Sequence, residues 1–143
     1  RTISEEIKSQ ELSTYIKLGK EMIKYIKNPD NRWVWLAAPQ VWYNKRLIVV
    51  SLLKHRDDEI FQTVMMINPE ILEHSTECEI EWEWCLSVPW ENGEVERFIS
   101  IKLRYIDENK KSRTILLSWV SARIVQHEID HLNGILFTDK LKK

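Results

Sequence analysis

Gln126-His127-Glu128-Ile129-Asp130-His131 sets a His-Glu-x-x-His box within an apolar, helix-like stretch. Histidines at i and i+4 project from one face of a helix, so both imidazoles can reach a single metal ion. The glutamate between them lies beside that face, where a carboxylate can take a proton from metal-activated water. The box therefore demands a helix here and a third ligand from elsewhere, because a catalytic metal usually keeps three protein ligands and one open position. Only 12 residues follow His131, with Asp139 the sole acid among them. Upstream stands Cys85, within Glu83-Trp84-Cys85-Leu86-Ser87, and a thiolate is a good ligand for a divalent transition metal.

The remaining chain is expected to form one domain over residues 1–143, long enough to bury a core. With 43% hydrophobic and 30% charged residues, it has the composition of a soluble globular protein. A net charge of -1 gives no sign of a nucleic-acid or anionic-membrane surface. No apolar run approaches the roughly 20 residues that span a bilayer, and no signal peptide is visible. Cys78 and Cys85 are the only cysteines, too few for a disulfide framework, which fits a reducing cytoplasm. The chain opens at Arg1 without a methionine and stops soon after the box, so it reads as cut at the start, with a cut at the end also open.

Residues 11–27 read as an amphipathic helix, with Leu12, Tyr15, Ile16, Met22, Ile23 and Ile26 on one face. Strands are expected at Arg46–Val50, at Val64–Ile67 before Asn68-Pro69, and over Glu70–Glu81. Val95–Tyr105 alternates in part, Asp107–Lys110 is a turn, and Arg113–Leu117 returns. The last long element is a helix over about Val120–Leu132, with Gly134 at its C-terminal cap. The expected class is α+β: mostly antiparallel strands packed around a C-terminal metal-binding helix, preceded by an N-terminal amphipathic helix. Cys78, His55 and His74 read as structural or surface residues, and Lys54–Glu59 as a solvated loop.

Three motifs in order give the chain a resemblance to the peptide deformylases. They are Trp33 to Gln40 against Gly-x-Gly-Leu-Ala-Ala-Pro-Gln, Glu83 to Ser87 against Glu-Gly-Cys-Leu-Ser, and Gln126 to His131 against Gln-His-Glu-x-Asp-His. The resemblance covers nearly the whole chain from residue 11 onward. It implies removal of the formyl group from N-formylmethionyl nascent peptides in the bacterial cytoplasm. It implies that Cys85, His127 and His131 hold one divalent metal, natively Fe2+, with Zn2+, Ni2+ or Co2+ as substitutes. Glu128 would be the general acid and base. The Gln40 side-chain amide and the Leu86 backbone N–H would stabilise the oxyanion. Val34, Trp35, Val120 and Ile124 would line the methionine pocket, with His127 at its edge. Glu83 and Arg97 sit where the family carries an acid and a base, a supporting ion pair. Transient ribosome contact, made in some relatives by a C-terminal helix, stays open, since little chain remains after Leu141.

The chain departs from the family at its glycines. Trp33, Trp35, Trp42, Trp84 and Trp119 stand at family glycine positions, Trp90 often aligns with one, and Trp82 is ambiguous. The chain has 3 glycines and 7 tryptophans, where average usage gives about ten glycines in such a length. Such glycines usually serve positive φ or close backbone approach. Six bulky replacements at ~1–3 kcal/mol each would cost roughly 6–18 kcal/mol, as much as a whole domain's stability. Indoles at 35 and 84 would also crowd the cleft. The pattern matches a UGA codon meaning glycine but translated as tryptophan. The chain as written is then expected to be inactive, while its glycine form is an ordinary deformylase. Two rivals remain: another His-Glu-x-x-His metallopeptidase, and a non-catalytic peptide-binding protein whose genuine tryptophans fill the cleft.

Overall fold

The computed structural model describes residues 3–28, 35–41, 43–52, 62–85, 88–135 and 137–140, without the side chains of 84, 85, 88–92, 137 and 138. A single 3-10 turn, Ser9–Glu11, leads into helix α1, Leu12–Lys27. Seven strands follow: β1 Trp35–Ala37, β2 Leu47–Leu52, β3 Gln62–His74, β4 Cys78–Cys85, β5 Val88–Phe98, β6 Ser100–Ile106 and β7 Ser112–Ser118. Helix α2, Trp119–Leu132, comes next. The strands form a five-stranded sheet, β1-β2-β3-β6-β7, and a separate β4–β5 hairpin. All of these pairings are antiparallel.

The central run Leu47-Ile48-Val49-Val50 explains the layering. Successive side chains of a strand point to opposite faces, so an unbroken apolar run needs cover on both. Leu47 and Val49 pack with Ile16, Met22 and Ile26 of α1. Ile48 and Val50 pack with Ala122, Val125 and Ile129 of α2. The large sheet therefore lies between the two helices. Gly19 lets α1 lie close on β3: a Cβ there would meet Met65 Sδ at 2.9 Å.

Three expected boundaries change. β3 does not stop before Asn68-Pro69 but runs on to His74. A register shift between Ile67 and Glu70 absorbs the pair as a bulge. Asn68 takes φ 51 there, a region asparagine tolerates. Its side chain accepts from Ile7 N–H and donates to Ile7 C=O, both at 2.8 Å. The single strand expected over Glu70–Glu81 is instead the end of β3 and the start of β4, parted around Ser75–Glu77. The stretch Val95–Tyr105 likewise breaks at Ile99, where the chain leaves the hairpin for the large sheet. The expected turn at 107–110 stands, with Lys110 at φ 64. At the end of α2, Gly134 takes φ 74. Ile135 N–H reaches Asp130 C=O and Gly134 N–H reaches His131 C=O, the bonds of a Schellman cap. The segment 54–59 lies outside the described residues, as does His55. Cys78 and His74 are exposed.

Candidate metal centre

Helix α2 has two working faces. Ala122, Val125, Ile129 and Leu132 turn to the sheet core. Val120, Arg123, Ile124 and His127, at i, i+3, i+4 and i+7, line a cleft of about 430 Å³ between α2, β1 and the β4–β5 hairpin. His127, Glu128 and His131 offer ligand atoms all within 4.8 Å of one another. The two imidazole rings stand 5.0 Å apart at 71°. Trp35 tilts over His127 from β1, ring centroids 6.5 Å apart.

Glu83 of β4 organises these groups. His127 Nδ1 lies 2.7 Å from Glu83 Oε1. Arg97 grips both Glu83 oxygens, Nε at 3.0 Å and Nη2 at 2.9 Å, and also donates to Asp130 Oδ2. Arg123 Nη1 adds a further bond to Glu83 Oε2. Burial alone would raise the Glu83 pKa, but His127 and Arg97 outweigh it and bring it down to about 2. Burial opposes the charge on Arg97, yet Glu83 and Asp130 hold its pKa above the ordinary value. An ionised carboxylate only accepts, so Glu83 makes Nδ1 the protonated nitrogen of His127 and leaves Nε2 as the lone-pair end.

Burial holds the Glu128 pKa well above the ordinary carboxylate value, with Glu83 adding to the rise and Arg97 opposing it. Both Glu128 oxygens are buried without a hydrogen-bond partner among the described residues. Buried polar atoms of this kind call for a partner. Burial, then the neighbouring His127 and Arg97, lower the His131 pKa to about 3, so its imidazole is neutral. The neutral His131 imidazole and the His127 ring, beside a buried carboxylate without a hydrogen-bond partner among the described residues, fit a divalent transition metal.

The remaining expected residues are placed as follows. Val120 and Ile124 line the cleft beside His127, and Trp35 joins them. Gln40 accepts Ala37 N–H at Oε1, 2.9 Å away, which makes its Nε2 the donor end of the amide. Cys85 ends β4 and its backbone pairs with Val88, but its side chain lies outside the described part, as do Val34 and Leu86. Arg97 and Glu83 do form the expected ion pair. Sequence reasoning missed three residues: Arg123, Asp130 and Gln126. Gln126 bonds both backbone groups of Phe98 and so ties α2 to β5. A charged or amide side chain on a buried helix face needs a partner, and that signal was present at all three.

Among the tryptophans with described side chains, Trp119 alone has positive φ, at 57. It opens α2, with its N–H on Ile99 C=O. The backbone strain expected of glycine positions therefore holds at 119 but not at Trp35 or Trp82, which lie in extended strands. Trp35, Trp82 and Trp119 all border the cleft.

The α+β architecture places two histidines and a glutamate on one helix beside a mostly apolar cleft, a group that could hold a metal ion. The description polypeptide deformylase belongs to the family model that matches residues 1–143. The chain belongs to that family. It is 40% identical over 125 residues to a peptide deformylase of Synechocystis, covering 87% of this chain and 65% of that protein. It thus spans just under two thirds of that relative's length. A peptide deformylase of Leptospira biflexa is 35% identical over 150 residues, covering 99% of this chain and 82% of the relative. A Met-Ala-Ser-bound class I type b peptide deformylase from Acinetobacter baumannii superposes with a TM-score of 0.87 at 38% identity, covering 97% of this chain and 89% of that one.

Proposed function

We propose that this chain is a metal-dependent peptide deformylase acting on N-formylmethionyl peptides in the cytoplasm. The observation that carries it is the placement of His127, Glu128 and His131 at the edge of a cleft lined by Val120 and Ile124, in a chain of this family. Cys85, His127 and His131 would hold one divalent ion, Fe2+ by family resemblance. When bound, that ion supplies a Lewis acid and lowers the pKa of its water. Glu128 takes the proton released as water adds to the formyl carbon. It then returns a proton to the amine nitrogen as the C–N bond breaks, so the products are formate and a free α-amine. Gln40 Nε2 and the Leu86 N–H are the donors for the oxyanion. Glu83 holds the His127 ring in one tautomer. The methionine side chain enters the apolar cleft, a role supported by the Met-Ala-Ser bound to the Acinetobacter relative.

The family's glycines at 33, 35, 42, 84, 90 and 119 belong to this proposal as the residues of the active form. Trp35 and Trp119 at the cleft support it. The test is turnover of N-formyl-Met-Ala-Ser beside unformylated Met-Ala-Ser by the glycine form loaded with Co2+. Formate release with no peptide-bond cleavage is expected. Cleavage of the plain peptide would favour the peptidase rival, and stable peptide binding without turnover the non-catalytic one.

A further inference from the structure

Arg123 contacts Glu83 but stands outside the proposed chemistry, and its placement is unusual. It is a cation on the cleft face of α2, one helical turn before His127, with its side chain only 13% exposed. Its guanidinium makes three attachments to the hairpin: Glu83 Oε2, the Val95 C=O at 2.9 Å, and the Glu79 C=O. Two of these acceptors are backbone carbonyls on different strands, β4 and β5. Among the described residues the hairpin shares no ladder with the large sheet, so side-chain ties, the His127–Glu83 contact among them, help set its distance from α2. Arg97 and Gln126 supply such ties away from the cleft mouth; Arg123 supplies one from within the cleft wall.

We infer that Arg123 is a positioning residue that sets the width of the cleft and so its preference for a long, unbranched apolar side chain. This rests on the deformylase reading of the cleft. Its guanidinium fork bridges two carbonyls and a carboxylate at once, which a lysine ammonium, a single point charge, cannot reproduce. With the fork in place, Arg123 presents its aliphatic stem to the cleft beside Val120 and Ile124. Without it, the three attachments to the hairpin are lost, water enters the wall, and a methionine side chain gains less by entering.

The test is isothermal titration of the full chain in its glycine form, in which the cleft is not crowded by indoles, with Met-Ala-Ser and with Ala-Ala-Ser, neither of which needs turnover. The glycine form with Arg123 intact is expected to favour Met-Ala-Ser by about tenfold, as burial of the larger apolar side chain requires. Arg123→Met keeps the stem and loses all three attachments, and should cut that preference to about threefold or less. Arg123→Lys keeps charge near Glu83 and should lose most of the preference too, while its Co2+ affinity stays within about threefold. A general structural role would lower the melting temperature and weaken both peptides alike, leaving their ratio intact. A preserved ratio in both variants overturns the role of Arg123 alone. No preference in the glycine form with Arg123 intact overturns the functional reading and this inference with it.

Discussion

Glu83 Oε1 and His127 Nδ1 lie 2.7 Å apart, joining strand β4 to helix α2 at the wall of the cleft. Because Glu83 is ionised, the bond fixes which His127 nitrogen carries the proton, and it aims the other at a metal. Glu83→Gln keeps the shape but removes the charge. It should weaken Co2+ binding by about 10–100-fold, the usual scale for an outer partner of a ligating histidine. Competition against a chromogenic chelator measures this; unchanged affinity would remove Glu83 from the metal site.

Arg97 is the other half of that arrangement. It is buried between Glu83 and Asp130, so Arg97→Met takes from both carboxylates the most buried of their cations, leaving Glu83 with Arg123 and Asp130 with the more exposed Lys140. Breaking a buried pair on one side costs about 3–5 kcal/mol. Urea unfolding should show a loss of that size. A loss below about 1 kcal/mol, the scale of a surface ion pair, would contradict the buried network.

Acid should destabilise the metal-free protein over a defined window. Glu83 has a pKa of about 2 when folded against an ordinary 4.5, so its contribution is complete above 4.5 and is lost as pH falls toward 2. His131 is held neutral, its pKa lowered from 6.5 to about 3. The unfolded chain takes that proton below 6.5 and the folded one does not, so stability again falls as pH drops. Both act in one direction, while Glu128, its pKa raised by burial, acts the other way as pH falls toward 4.5. In a Glu128→Gln background, which removes that opposing contribution, urea midpoints should decline steadily from about pH 7 to about pH 3. A midpoint that holds or rises would contradict both assignments.

Trp119 provides a test of the glycine positions. A non-glycine residue in the left-handed region costs roughly 1–2 kcal/mol, and Trp119 sits there at φ 57. Trp119→Gly should therefore stabilise the protein by about 1 kcal/mol, whereas Trp82→Gly, in an extended strand, should not. Codons settle the origin: UGA is expected at 33, 35, 42, 84 and 119. UGG there would make the tryptophans genuine and favour the non-catalytic rival.

Much of this was legible in the chain itself. The apolar period of 11–27 marked α1, and the His-Glu-x-x-His spacing marked α2, because both signals are local. Asn68-Pro69 misled, since turn chemistry can be absorbed as a bulge when partner strands continue on both sides. The Glu83–Arg97 pair was expected; its reach to His127, Asp130 and Arg123 was not. Those contacts join positions up to 44 residues apart, and no periodicity reports which buried charges meet.

The most direct measurement of the central claim is formate release from N-formyl-Met-Ala-Ser by the Co2+-loaded glycine form and its Glu128→Ala variant. The account predicts turnover in the first and, in the second, retained metal with activity reduced by at least about 100-fold. Undiminished formate release by the variant, or none by the parent with metal bound, would contradict it.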